Sequence, residues 1–118
     1  MKIKALNSIK GGYGESLAQS FIKKQLKYKI LENNFKCVLG EVDIIAKDKN
    51  VIVFIEVKYK SSFCFGEPRE KVTLHKQQKI KQVAQFYLKS KKMLDSMVRF
   101  DVIEVLDDKI EHIFDAFR

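Results

Sequence analysis

The sequence predicts one α/β domain, residues 1–118, in which a mixed central β-sheet is flanked by helices in the order α-β-β-β-α-β-β. Two segments, 14–27 and 71–90, repeat apolar residues at helical spacing, and short apolar or alternating runs fill most of the remaining length. A chain of 118 residues has the size of one domain, and no repeat, linker or low-complexity tract divides it.

The two helices are defined by their apolar stripes. The first is expected over 14–27, after a glycine-rich entry, and residues 1–10 before it are expected to be flexible. The second is expected over 71–90, after a loop at 61–70 that contains the only proline. The stripe residues are Leu17, Ala18, Phe21, Ile22 and Leu26 in the first helix, and Ile80, Val83, Ala84, Tyr87 and Leu88 in the second.

Five strands are expected, over 28–35, 41–47, 51–59, 98–106 and 109–114. The third begins with five consecutive apolar residues, which is typical of a central strand covered on both faces. It then ends in Glu56-Val57-Lys58, although an unpaired buried charge is costly. The charged end of an otherwise apolar strand therefore indicates a functional site.

A second acid lies in the preceding strand. Asp43 stands among apolar residues, and aspartate is disfavoured in strands. Alternation places Glu56 and Lys58 on one face, and a hairpin between the two strands brings Asp43 beside Glu56. Two carboxylates supply the hard oxygen ligands that Mg²⁺ prefers, and a lysine nearby can orient or activate a water molecule. The simpler interpretation is an outward-facing aspartate next to a Glu-x-Lys ion pair.

Glu15 and Lys76 extend the buried stripes of the two helices beyond their N-terminal ends. Glu15 is therefore expected near the sheet edge as a third carboxylate, although an acid in a first helical turn also favours the macrodipole. Lys76 is expected to contact phosphate at the same end of the sheet. A lysine whose stem packs at a helix start is the equally simple alternative.

Positive charge is concentrated around the second helix. Residues 69–92 hold eight basic residues and one acid, so this segment carries +7 of the net charge of +8. Such a segment suits a polyanion, and a solvated basic helix is the alternative. Because the sequence shows neither a secretion signal nor a membrane span, we expect a cytoplasmic protein with a nucleic-acid partner and no membrane partner.

Several motifs together carry a resemblance to a known family. They are Gly14-Glu15 at a helix start, GEVDIIA at 40–46 and VFIEVK at 53–58, supported by Phe65-Gly66, by RFDV at 99–102 and by the segments 112–113 and 116–117. Over about residues 11–117 the chain resembles the YraN-type family of uncharacterised bacterial proteins. That family is similar to the restriction-endonuclease-like nucleases with the PD-(D/E)xK motif, and especially to archaeal-type Holliday junction resolvases.

The resemblance implies a restriction-endonuclease-like fold and a site for Mg²⁺ (or Mn²⁺). Asp43 would match the aspartate of the motif, Glu56 its second acid and Lys58 its lysine, while Val42 replaces its proline. Glu15 would match a helix glutamate that many of these nucleases add. The expected catalytic residues are thus Asp43, Glu56, Lys58 and Glu15, the expected metal ligands Asp43, Glu56 and Glu15, and the expected nucleic-acid contacts Arg69, Lys76, Lys79, Lys81 and Lys89.

Three functions stay open at this point. The first is an Mg²⁺-dependent endonuclease acting on DNA, with branched or structured DNA as the expected substrate; a homodimer would let such an enzyme cut two strands symmetrically. The second is a non-catalytic nucleic-acid-binding accessory protein on the same fold. The third is a basic structural protein whose carboxylates make ion pairs.

Overall fold

Five strands form one mixed sheet in which each strand pairs with the next along the chain. They are β1 (Lys29–Cys37), β2 (Gly40–Asp48), β3 (Val51–Lys60), β4 (Met97–Leu106) and β5 (Lys109–Phe117). β3 and β4 are parallel and the other three pairs are antiparallel. Since parallel neighbours need a crossover connection, helix α2 (Leu74–Ser90) lies between them in sequence.

The computed structural model describes residues 14–60, 72–107 and 109–118, and of Lys60 only the backbone. The expectations for the segments 1–10 and 61–70, including Arg69, lie outside the described residues. Within them the expected fold class, a mixed sheet with helices in the order α-β-β-β-α-β-β, is confirmed. No helix among these residues is long and apolar enough to cross a membrane.

Helix α1 is α-helical over 14–21 and continues as a π-helical turn, Ile22–Leu26. It ends at Lys27, whose left-handed backbone lets its N–H bond the Ile22 carbonyl. Helix α2 begins later than the sequence indicates. Thr73 is its N-cap, and its side-chain oxygen accepts a 3.1 Å hydrogen bond from the Lys76 N–H, so the first helical residue is Leu74.

The two helices cover opposite faces of the sheet. Alternation in β3 sends Ile52 and Phe54 into a core with α2, and Val53 and Ile55 into a second core with α1. All four side chains are at most 2% exposed, which confirms the expected central strand. We call these faces the α2 face and the α1 face. The carboxyl end of β3 is the end where Glu56 and Lys58 lie.

Candidate functional site

At the open end of the β2–β3 hairpin, Asp43 bonds to β3 through its side chain rather than its backbone. Regular pairing runs from Asp48 and Val51 to Ile44 and Ile55, and the same register continued by one residue sets Asp43 opposite Glu56. At this point the Val57 N–H donates a 2.8 Å hydrogen bond to Oδ2 of Asp43. A fixed donor therefore holds the carboxylate of β2 against the end of β3.

The alternation of faces breaks at Asp43. Val42 packs in the α2 core and Ile44 in the α1 core, although residues two apart on a regular strand share a face. The partners in β1 follow the same change: Phe35 pairs with Val42 and packs against the α2 core, whereas Asn33 pairs with Ile44. In both strands the side chains thus change from one face of the sheet to the other between these two pairs. This change places Asp43 within reach of charges from both faces.

Like charge and burial combine at this position. Burial and, to a smaller extent, the neighbouring Glu56 carboxylate raise the pKa of Asp43 to about 6, although the Val57 hydrogen bond and Lys76 act in the opposite direction. Glu56 is buried, at 8% exposure. The Nζ atom of Lys76 lies 3.5 Å from Oε2 of Glu56. The positive charge of Lys76 therefore partly offsets the repulsion within this pair of acids.

Glu15 reaches the same acids from the α1 side. Helix α1 approaches the sheet closely at Gly14, where a Cβ atom would lie 2.9 Å from Cδ2 of Tyr59. Burial and the charge of Asp43 raise the pKa of Glu15, and a hydrogen bond from the Asn34 side chain opposes this rise. The structure thus brings Glu15 into electrostatic contact with Asp43, as its place on the helix stripe predicts.

Lys58 follows Glu56 on the α2 face and is half-buried. Its register partner in β4 is Glu104, which is 8% exposed and in turn pairs with Glu111 of β5. Glu104 is not among the residues expected at the site. Its sequence context indicates a special position nonetheless, because Glu104 stands among Val102, Ile103 and Val105 just as Asp43 stands among apolar residues.

The lysines of α2 do not form one uniform surface. Lys79 and Lys89 are exposed, whereas Lys81 donates to the backbone carbonyl of Arg118 and lies 6.0 Å from the ring centre of Phe117. Lys76, at the N-terminal turn, is the one that meets the acids. Of the four nucleic-acid contacts expected on this helix, Lys76 therefore lies at the site, Lys79 and Lys89 lie in solvent, and Lys81 is directed toward the end of β5.

The donors at this end of the sheet suit a hard divalent cation. Carboxylate oxygens are the ligands Mg²⁺ prefers, and it is commonly held by one or two of them with water and substrate phosphate completing the shell. The half-buried Asp43 and the buried Glu56 repel one another, as the raised pKa of Asp43 indicates, and such a pair gains most from a bound cation. Among the described residues no three His, Cys, Asp or Glu side chains could hold one ion together, so the fit rests on the pair.

A second polar cluster lies on the α1 face, in β4 and β5. Asp101 is fully buried and accepts hydrogen bonds from Nε and Nη2 of Arg99 at 2.9 and 3.1 Å, and from the Asp115 N–H at 3.0 Å. The Nε2 atom of His112 lies 2.7 Å from Oδ2 of Asp101. Arg99 also donates to Asp48 and to the Tyr28 hydroxyl. These hydrogen bonds lower the pKa of Asp101 although burial opposes them. Among the described residues every buried polar side chain has a partner, so this cluster joins strands β2, β4 and β5 and the residue before β1 rather than presenting free groups.

Known proteins similar to this chain were found by sequence. The model of the uncharacterised protein family UPF0102 matches residues 14–105. A UPF0102 protein of Caldanaerobacter subterraneus subsp. tengcongensis is 47% identical over 91% of this chain and 93% of its own length. One from Caldicellulosiruptor saccharolyticus is 50% identical over 80% of each chain, and one from Clostridium botulinum 53% identical over 81% and 78%.

One solved structure also aligns with the chain. It is described as the crystal structure of SSO0001, with 18% sequence identity and a TM-score of 0.47. The alignment covers 99% of this chain but spans only 56% of the length of that one. A likeness of this degree carries no argument about the site.

Proposed function

Since this chain belongs to the uncharacterised protein family UPF0102, its activity has to be inferred from the site, and we propose that it is a divalent-metal-dependent nuclease acting on DNA. The observation that carries the proposal is the placement of Asp43 beside Glu56 at the end of a central strand, one position beyond the last regular pair, with Lys58 two residues further on the same face. A structural role alone gives no reason to hold two acids together against their repulsion.

Asp43 and Glu56 would hold the cation, Mg²⁺ or Mn²⁺, with Glu15 in support. When bound, the cation supplies Lewis acidity to a phosphoryl oxygen and lowers the pKa of a coordinated water. The Val57 N–H fixes Oδ2 of Asp43, which leaves the other oxygen of that carboxylate for the ion. Among the described residues Glu56 forms an ion pair with Lys76, at 3.5 Å, and the Lys76 side chain is 45% exposed and can move toward solvent.

The lysines divide the remaining work. Lys58 would orient the attacking water or stabilise the charge that develops on the phosphate. Once a cation neutralises Glu56, the Lys76 side chain would leave that acid and pair with a phosphate instead. Lys79 and Lys89 are exposed on the same helix and would bind the sugar–phosphate backbone without regard to sequence.

The proposed substrate is DNA of branched or structured form, and the assembly proposed for symmetric cutting of two strands is a homodimer.

A single-turnover cleavage assay on labelled four-way junction, flap, duplex and single-stranded DNA tests activity and substrate together. Mg²⁺, Mn²⁺ and EDTA are compared for wild type, Asp43→Asn and Lys58→Ala. The matched control is Asp95→Asn, in an exposed turn after α2.

We expect wild type and Asp95→Asn to cut with Mg²⁺ or Mn²⁺ and not with EDTA, and the two site variants to lose cutting. Tight binding by wild type without cleavage of any substrate would instead favour the accessory DNA-binding protein. Equal cleavage by Asp43→Asn and wild type would remove the metal role of this acid.

A further inference from the structure

Two lysines stand directly opposite one another in the β1–β2 ladder. Lys29 pairs with Lys47, and both are exposed. Ile45, two residues before Lys47, and Ile52, its partner in β3, pack in the α2 core, so the two lysines lie on the α2 face. Like charges directly opposite one another destabilise a sheet. The fold alone therefore gives no reason for this pair, whereas a bound polyanion would.

A third lysine joins the pair from the end of helix α2. Lys91, which directly follows the helix, lies 4.0 Å from Glu32, three residues along β1 from Lys29. Asp48, the acid next to Lys47, is directed to the α1 face, where it belongs to the second polar cluster. We call Lys29, Lys47 and Lys91 the basic patch. Its three positive charges exceed the one negative charge, that of Glu32, which these contacts place beside it.

Helix α2 connects the candidate site to the basic patch. Lys76 in its first turn lies 3.5 Å from Glu56, and Lys91 follows its last residue. The helix has 17 residues, which at about 1.5 Å per residue gives a length of about 25 Å. B-form DNA rises about 3.4 Å per base pair, so this length corresponds to about seven base pairs. A duplex that lies along α2 would therefore reach the basic patch about seven base pairs from the candidate site.

The outer surface of α2 carries no charge that would repel such a duplex. No acid occurs within Leu74–Ser90. Gln78, Gln82, Gln85 and Lys89 are exposed and follow one another at intervals of three or four residues, so they form one stripe. Side-chain amides and lysines are common contacts of phosphate oxygens. The stripe therefore offers hydrogen-bond donors to a polyanion between the two ends of the helix.

From these observations we infer that the basic patch binds the sugar–phosphate backbone of a duplex DNA arm that lies along α2. The inference deepens the proposed function and rests on it for the position of the cut, about seven base pairs from the patch, although binding at the patch requires no cutting. The acids Asp43 and Glu56 would repel DNA when no cation is bound, and the patch supplies attraction at the opposite end of the sheet. Because it contacts phosphates, the patch would position the DNA without reading its sequence.

The test removes the opposed pair of lysines. Lys29→Gln combined with Lys47→Gln removes two charges and keeps long polar side chains. The matched control is Lys23→Gln combined with Lys24→Gln, two exposed lysines in the last turn of α1, on the other side of the sheet. Both double variants have the same net charge. The patch variant should melt at the wild-type temperature or above it, because a like-charge pair has been removed.

DNA binding in EDTA decides whether the patch contacts phosphate. The probe is a fluorescently labelled duplex of about 20 base pairs, and the logarithm of the binding constant falls with the logarithm of salt concentration by about 0.9 for each phosphate contact. We expect this slope to be shallower by about two in the patch variant and unchanged in the control. Equal slopes in the two variants would show that net charge alone acts, and a wild-type slope in the patch variant would leave these lysines to another acidic partner. Either result would overturn the inference.

Single-turnover cleavage with Mg²⁺ separates the inference from the proposed function. At saturating protein the patch variant should cut at the wild-type rate, because its lysines lie at the opposite end of α2 from the acids. A lower rate at saturation would refute a role confined to binding. Wild-type protein that binds through the patch and cuts nothing would retain the inference and refute the nuclease, whereas cutting without any dependence of binding on the patch would do the reverse.

Discussion

The Val57 N–H and the Asp43 carboxylate, joined by a 2.8 Å hydrogen bond, replace a backbone pair at the point where the β2–β3 ladder ends. This bond holds the half-buried Asp43 side chain beside a second acid, Glu56. It stabilises the ionised form of Asp43, but burial and Glu56 outweigh it, since the pKa of Asp43 is raised from 3.8 to about 6. In the protein without metal, the pair is therefore a source of instability at neutral pH.

The first prediction concerns this instability. A carboxyl group whose pKa is raised on folding stabilises the folded state below its unfolded pKa of 3.8, and the effect is lost as the pH rises through 6. A shift of this size corresponds to at most about 3 kcal/mol. In EDTA at pH 7.5, Asp43→Asn should therefore unfold at higher urea concentration than wild type, and the gap should close toward pH 4. Asp95→Asn is the control, and a gap that does not depend on pH would contradict the assignment.

The second prediction concerns the cluster around Asp101, which is structural in this account. Arg99 binds both oxygens of the fully buried Asp101 carboxylate and also reaches Asp48. Removing one partner of a buried ion pair costs about 3–5 kcal/mol. Asp101→Asn should therefore lower the free energy of unfolding by about that amount, and Arg99→Lys should also destabilise the protein because lysine cannot form the paired hydrogen bonds.

The solvent-exposed Arg118, which pairs with Asp115, provides the matched control for this prediction. Arg118→Lys should change the free energy of unfolding far less than Asp101→Asn does, because exposed ion pairs contribute little. Urea unfolding of the three variants gives the comparison. A loss in Asp101→Asn no larger than that in Arg118→Lys would show that the cluster does not hold the strands together.

The third prediction separates DNA binding from chemistry. Replacing Lys79 and Lys89 together by alanine should weaken binding to every DNA sequence and flatten its dependence on salt, since fewer counterions are released. Lys58→Ala should leave binding close to that of wild type and remove cutting, because its proposed role is in the chemical step. Gel shifts over a salt series and single-turnover cleavage distinguish the two. Equal losses of binding and cutting in Lys58→Ala would make Lys58 a phosphate contact.

Local patterns in the sequence were sufficient for the sheet and for part of the site. Five consecutive apolar residues from Val51 locate the central strand, and alternation with the short turn after Asp48 places Asp43 opposite Glu56. The approach of Glu15 was accessible in the same way, from its place on the helix stripe. In each case the relevant neighbours are close in sequence or share one regular period.

Other features depend on conformation or distant partners and could not be deduced. The left-handed backbone of Asn34 leaves no sign in a single sequence, where asparagine in a strand resembles any polar edge residue. Strand β5 continues to Phe117, beyond the predicted end at 114, through a register shift where Asp115 has a positive φ and its N–H bonds Asp101. The role of Arg99 likewise depends on Asp48, in a strand 51 positions earlier.

The most direct test of the central claim, that Asp43 and Glu56 together hold a divalent cation, is a Mn²⁺ titration of the full chain followed by electron paramagnetic resonance. We expect a single saturable site in wild type, a loss of affinity of about tenfold or more in both Asp43→Asn and Glu56→Gln, and no change in Asp95→Asn. Wild-type protein that binds no Mn²⁺, or site variants that bind it as tightly as wild type, would contradict the claim.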